Sequence, residues 1–427
     1  MTYNEIKHEK TAEKLYEYEH ASGLKAYVLP KKGFTQKYSV FSTHYGSIDN
    51  NFVIPGASQP INVPDGIAHF LEHKLFEQED GNAMDRFSEL GANSNAYTTF
   101  NMTSYLFSCT DLFYECLKLL IDFVQNPYIT EESVEKEKGI IAQEIRMYED
   151  DPDWRAFFNF LRAVYVNHPV KIDIAGTTES IDSINREVLY TCYNTFYHPS
   201  NMVIFSAGDV DVDKAFKMIE DSIRTTSPKG EIRRLFPHED DSVNQHFIEE
   251  KLAVAMPIFN MGFKDIATQL SPKDMVRRDT AIKIILQMIM GRSSELYNNL
   301  YQEGLINSGF SAEYELDENY GYSVFGGESK NPMLANQKIV AYIDRIRQNG
   351  LDSGSFERIK KAMYGKLVRQ FNYVDTISNK FAAGYFKGIS MFDYFDIFDE
   401  IDIDYINNVF VEHFNTERVA MSVVNPA

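Results

Sequence analysis

The sequence predicts an α+β protein built from two homologous halves, each a mostly antiparallel sheet covered by helices. Three observations lead there. Strand-like and helix-like segments interleave along the whole chain, with neighbouring strands close enough in sequence to pair directly. An internal echo links the halves. YNTFYHPSNMVIFSA at 193–207 resembles FVEHFNTERVAMSVV at 410–424, an offset of 217, and YSVFSTHYGSID at 38–49 resembles VAMPIFNMGFKD at 254–265, an offset of 216. Between the halves, TTSPKGEIRRLFPHEDD at 225–241 lacks apolar periodicity and carries two prolines, a glycine and dense charge, as a linker does. The expected division is a first domain at 1–224, a linker at 225–244 and a second domain at 245–427.

The elements follow in order. LKAYVLP at 24–30 and YSVFSTHYGS at 38–47 alternate or run apolar and read as strands. DGIAHFLEHKLFEQ at 65–78 has helical character. SNAYTTFNMTSYLFSCT at 94–110 is rich in Thr, Tyr and Phe and reads as a strand pair. LFYECLKLLIDFVQNP at 112–127 places Leu112, Cys116, Leu119, Leu120, Phe123 and Val124 at helical spacing and stops at Asn126-Pro127. TEESVEKEKGIIAQEIRMYEDDP at 130–152 is a strong helix: Thr130 can cap it, Glu131 and Glu132 sit in the electropositive first turn, and Pro152 lies beyond its end.

Composition narrows the function classes. The chain has 427 residues and a formal charge of −20, which argues against nucleic acid or an anionic membrane as partner. Nineteen acidic and 6 basic residues lie between 51 and 153, so the negative charge is concentrated there. The ordinary meaning is a solvated acidic surface; the sharper one is a site favouring cationic polypeptides. Cys109, Cys116 and Cys192 form no C-x-x-C pair and suit free buried thiols in a reducing compartment. The polar first twenty residues lack an apolar signal core, and no apolar run reaches spanning length, so a cytoplasmic protein is expected.

The densest chemistry is HFLEH at 69–73. His69, Glu72 and His73 stand at i, i+3 and i+4 and share a helix face, while Phe70 and Leu71 turn into apolar packing. Two imidazoles one turn apart can reach a single tetrahedral zinc ion, with Glu72 placed to take a proton from a water acidified by the metal. The bland alternative is an amphipathic helix with satisfied histidines; by chance H-x-x-E-H arises in a chain of this composition at a rate of roughly 2%. A catalytic site needs a third protein ligand. The helix at 130–150 offers Glu137 and Glu144, two turns apart on one face. Most glutamates there are solvated, but Glu144 follows the apolar GIIA and enters a core, where a carboxylate needs a partner such as a metal.

The order His-x-x-Glu-His marks the inverzincins, and the chain resembles the insulinase/pitrilysin family of zinc metallopeptidases over nearly its whole length, most strongly at 20–210. The family pattern has two glutamates seven apart on a downstream helix, the second a zinc ligand; EKEKGIIAQE supplies Glu137 and Glu144. The resemblance implies one Zn²⁺ per chain on His69, His73 and Glu144, Glu72 as general base and Glu137 in support. Co²⁺ or Mn²⁺ would also suit such ligands. It implies further that GANSNAYT at 91–98 contains a strand whose Asn95, Ala96, Tyr97 and Thr98 pair with a substrate backbone, and that the two domains form half of a clamshell. AIKIILQMIMG at 281–291 stands where the second domain would carry the motif, with Lys283, Leu286 and Gln287 in place of ligands. One departure matters. Single-chain relatives carry an Arg and, seven residues later, a Tyr that help stabilise the tetrahedral intermediate, whereas LYQEGLINSGF at 300–310 has Tyr301 and Ser308. The chain therefore resembles the metal-bearing subunit of a bacterial heterodimeric pair: a zinc endopeptidase for peptides or unfolded segments that needs a homologous partner, with a homodimer as the other arrangement. The rival is a non-catalytic scaffold or dedicated processing subunit of a larger assembly, such as one linked to modification of a translation factor.

Overall fold

A computed structural model describes residues 2–224, 226 and 230–427. Positions 225 and 227–229 of the expected linker lie outside the described residues.

The chain divides into two compact units. The first is built on a seven-stranded sheet formed by β1 (Asn4–His8), β2 (Glu13–Glu19), β3 (Lys25–Pro30), β4 (Lys37–Thr43), β5 (Asn93–Thr98), β6 (Thr103–Cys109) and β7 (Met202–Gly208), in the order β1-β2-β3-β7-β4-β6-β5. Only β3 and β7 run parallel. Every residue of β7 is buried, which is why MVIFSAG reads as a continuous apolar run rather than an alternation. β5 ends the sheet, paired to β6 along one side only.

Three helices bear on the site. α1 (Ile67–Phe76) is buried almost all round, so its polar residues need partners inside the protein. Its start is set by Gly66, at φ 86°; a Cβ there would meet the Ala175 carbonyl oxygen at 2.3 Å, so only glycine fits. α2 (Phe113–Gln125) buries Cys116, Leu120, Phe123 and Val124 as the spacing requires. Leu112, expected on that face, is instead the left-handed cap residue and is exposed, because it precedes the first helical turn. α3 (Glu131–Asp150) starts where Thr130 accepts the Ser133 backbone N–H, 3.1 Å. The three cysteines are free and buried.

The second unit has a five-stranded sheet of β8 (Phe247–Leu252), β9 (Ile258–Asp265), β10 (Ser311–Leu316), β11 (Gly321–Glu328) and β12 (Val419–Pro426), ordered β8-β12-β9-β11-β10. Strand for strand this repeats β3-β7-β4-β6-β5, including the one parallel pair, β8 with β12. The duplication read from the two sequence offsets thus has its counterpart in strand order and direction. The segment 281–291 falls in a helix, α5 (Pro272–Met290), where Leu286 is core and Lys283 pairs with Asp279, 2.6 Å.

The units are not contiguous in sequence. Residues 146–172 belong with the second unit and 369–386 with the first. α4 (Pro152–Val164), from the N-terminal half, packs on β9 and β12 and forks Arg155 onto Glu250 at 2.6 and 3.1 Å. α6 (Val374–Tyr385), from the C-terminal half, covers β4 and β7, with Phe381 stacked on Phe205 at 4.3 Å and near Tyr27 at 4.7 Å. Burying such a ring contributes roughly 1.5–3 kcal/mol. The sequence-based division at 225–244 gave no hint of this exchange, since an amphipathic helix does not encode which sheet it covers.

Candidate active site

α1 brings His69 and His73 together, their rings 4.6 Å apart and inclined at 63°. α3 lays Glu144 across them: His69 Nε2 is 3.7 Å from Glu144 Oε1, and His73 Nε2 is 3.5 Å from Oε2. One ligand atom from each of the three residues lies within 4.8 Å of the others. These separations exceed good hydrogen bonds, so two imidazoles and a carboxylate face a common point without saturating one another. Among the described residues, no other group of His, Cys, Asp or Glu converges this way.

The surroundings fix the donor set. Glu137, two turns before Glu144, accepts from His73 Nδ1 at 3.1 Å. That bond places the proton on Nδ1 and directs the lone pair of Nε2 at the convergence point, the arrangement metal-binding histidines use. Burial lowers His69 to about 4, reinforced by His73, so this ring is neutral at pH 7, as a ligand must be. For His73 burial acts the same way, but the Glu137 bond and the charges of Glu72 and Glu144 outweigh it and raise the ring. Burial would raise Glu137, yet its bond to His73 and the charges of His73 and Lys74 hold it below the ordinary carboxylate value. The residues fit a divalent ion: nitrogen and oxygen donors of the right type, with one imidazole oriented by a carboxylate.

Glu72 lies on the same face of α1, 8% exposed, and the Thr98 hydroxyl donates to its Oε2 at 2.6 Å. Burial pushes its carboxyl up to about 7, opposed by the Thr98 bond and His73. Thr98 is the last residue of β5, so the edge strand and the carboxylate are joined directly. Asn95, Ala96 and Tyr97 lie on the same strand; the Tyr97 hydroxyl donates to Asn379 on α6 at 3.0 Å. A cleft of about 760 Å³ opens beside these groups, bordered by Glu72, His73, Phe76, Asn95, Ala96 and Ile140.

The candidate site residues read from the first domain are thus gathered in one unit. Sequence reading missed two contacts there, Thr98 with Glu72 and Asn379 with Tyr97. The first had a signal, a threonine ending a strand beside the motif helix; the second, 282 positions apart, had none. Tyr301 and Ser308 belong to the second unit: Tyr301 is half exposed and stacks on Tyr297, and the Ser308 carbonyl accepts from Arg292 at 3.1 Å.

Comparison with known proteins gives the family. Residues 60–178 match the family pattern described as Insulinase (Peptidase family M16), and residues 183–363 match the Peptidase M16 inactive domain. The chain is 39% identical over 423 residues to the uncharacterised zinc protease YmfH of Bacillus subtilis, covering 99% of both chains. It is 24% identical to a second B. subtilis zinc protease, YmxG, covering 85% of this chain and 88% of that one. A crystal structure of an M16-like peptidase from Alicyclobacillus acidocaldarius superposes with a TM-score of 0.93 at 35% identity, over 100% of this chain and 99% of that one. A protease from Helicobacter pylori shares the fold at a TM-score of 0.81 and 19% identity, over 97% of this chain and 100% of that one. With a zinc-protease relative matched almost end to end and both family domains present, the chain belongs to peptidase family M16, the insulinase family.

Proposed function

We propose that the chain is a zinc-dependent endopeptidase acting in the cytoplasm on peptides or unfolded segments. The observation that carries this reading is the convergence of His69, His73 and Glu144 beside the buried Glu72. His69, His73 and Glu144 would hold a zinc ion there, which would supply Lewis-acid chemistry, polarising a carbonyl and acidifying water.

The chain's own groups do the rest. Glu137 keeps His73 in the tautomer that presents Nε2. Thr98 occupies one oxygen of Glu72 and so fixes the other, which takes the proton of the attacking water and returns it to the leaving amine nitrogen. The unpaired side of β5 can accept an extended peptide as an additional strand, so Asn95–Thr98 would hold the scissile bond through main-chain hydrogen bonds. The cleft bordered by Phe76 and Ile140 would receive a side chain, and the acidic residues around it favour neutral or cationic peptides.

Replacement of Arg and Tyr by Tyr301 and Ser308 supports a partner requirement. An oxyanion donor is worth roughly 10²–10³ in rate, so the isolated chain should hydrolyse slowly and a homologous subunit should restore the rate. The same replacement favours the second reading, a non-catalytic subunit of a larger assembly. One experiment tests the enzyme. Glu72→Gln removes the base and keeps every ligand, so zinc content should stay near one per chain while hydrolysis by the complete assembly falls by about 10²–10⁴. Normal cleavage by this variant sinks the mechanism; no zinc in the native chain favours the scaffold.

A further inference from the structure

We propose that Lys74 is a positioning residue of the metal site, acting on His73 through Glu137; this rests on the zinc reading above. Lys74 follows His73 on α1, and its side chain is completely buried. Buried lysines are rare unless paired, and here the ammonium has three oxygens around it. It donates to the Glu77 carboxylate and to the Ser133 carbonyl at 3.4 Å, and it lies 3.8 Å from Glu137 Oε2. The other oxygen of the same Glu137 carboxylate holds His73 Nδ1 at 3.1 Å.

Consecutive residues on a helix diverge by about a quarter of a turn and do not face each other. Lys74 and His73 meet only because α3 supplies a carboxylate that spans both. One oxygen serves the imidazole and the other faces the ammonium, which fixes the plane of the carboxylate and so the orientation of the His73 ring. Stability alone does not explain this ammonium. A buried ion pair is often no better than a well-packed apolar side chain of similar volume. Glu77, partly exposed, would be a sufficient partner for a lysine that only needed neutralising.

The test uses the full chain and zinc affinity measured by competition with a chromogenic chelator, together with the visible spectrum of the Co²⁺-substituted protein. Lys74→Met should weaken zinc binding by about tenfold or more, as loss of an outer partner of a ligand does, and shift the Co²⁺ bands towards those of Glu137→Gln. The double variant should bind zinc within about twofold of Glu137→Gln alone, because both changes act through one carboxylate. Unchanged affinity in Lys74→Met overturns the proposal, as does a double variant whose loss is the product of the single losses. If Lys74→Met does not fold, recovery of folding on adding Glu137→Gln supports the coupling, and no recovery refutes it. Failure of the native chain to bind zinc would instead defeat the zinc reading itself.

Discussion

Two clusters of histidine and carboxylate, one in each unit, use similar groups and end in opposite states. In the first unit Glu144 lies 3.7 Å from His69 and 3.5 Å from His73, and His73 borders a cleft. In the second, Asp265 at the end of β9 is clamped by Arg278 through two bonds of 2.9 Å, accepts from Tyr314 at 2.6 Å and lies 3.3 Å from His413 Nδ1. His413 Nε2 is 2.8 Å from the Ser323 hydroxyl. Serine, histidine and aspartate are thus lined up in the order a hydrolase uses, yet Ser323 and His413 are fully buried, so no substrate reaches them. Residue types do not make a site. What separates the clusters is access: the sealed one orders a core, whereas the other borders a cleft that a ligand can enter.

That contrast can be tested from both sides. The largest effect should come from Glu144→Gln, which deletes the convergence: zinc measured by atomic absorption should fall from about one per chain to under about a tenth, with hydrolysis lost alongside, since a catalytic site needs its third protein ligand. Retention of zinc would mean that the ion, if bound, sits elsewhere. Next, Asp265→Asn leaves the Arg278 guanidinium short of its buried partner and should cost about 3–5 kcal/mol in urea unfolding. The lower figure is expected because Glu412 still reaches Arg278 at 3.1 Å. Zinc affinity should not change.

Acid should attack the sealed cluster in a defined order. Burial lowers His413, with Asp265 opposing. Its contribution is complete above the ordinary histidine value of about 6.5 and is lost as pH falls through the depressed one, at up to about 1.4 kcal/mol per pH unit. Burial would raise Asp265, but His413 and Arg278 hold it far below the usual carboxylate range. Its contribution is therefore complete above about pH 3.9 and drains only in stronger acid. Urea midpoints of the zinc-free protein should fall as the pH drops below about 6.5, and His413→Gln should flatten that slope. The smallest effect belongs to Ser323→Ala, about 1 kcal/mol for one lost hydrogen bond, with hydrolysis intact. Loss of activity in this variant would mean the sealed triad is not merely structural.

Much of this was legible in the chain. HFLEH places three groups on one helix face because a helix repeats every 3.6 residues, and the seven-residue step from Glu137 to Glu144 does the same on the second helix. The strand pair at 93–109 announced itself through its β-branched and aromatic residues, and two matching offsets revealed the repeat that the strand orders show. Other features carried no local signal. Leu112 kept helical spacing but fell one position before the first turn, because spacing says little about where a helix begins. The serine, histidine and aspartate of the sealed cluster come from separate strands and a helix far apart in sequence.

The sequence by itself determined the helix faces, the strand pair, the repeat and which candidate groups share each helix face, because periodicity and spacing are properties of neighbouring residues. Tertiary structure decided the rest: that α4 and α6 each cover the sheet of the other half's unit, that Thr98 holds Glu72, that Lys74 lies buried against Glu137, and that one histidine cluster is open while the other is sealed. Those outcomes depend on which surfaces pack together, and an apolar face or a hydrogen-bonding group specifies that it must be covered without specifying by what.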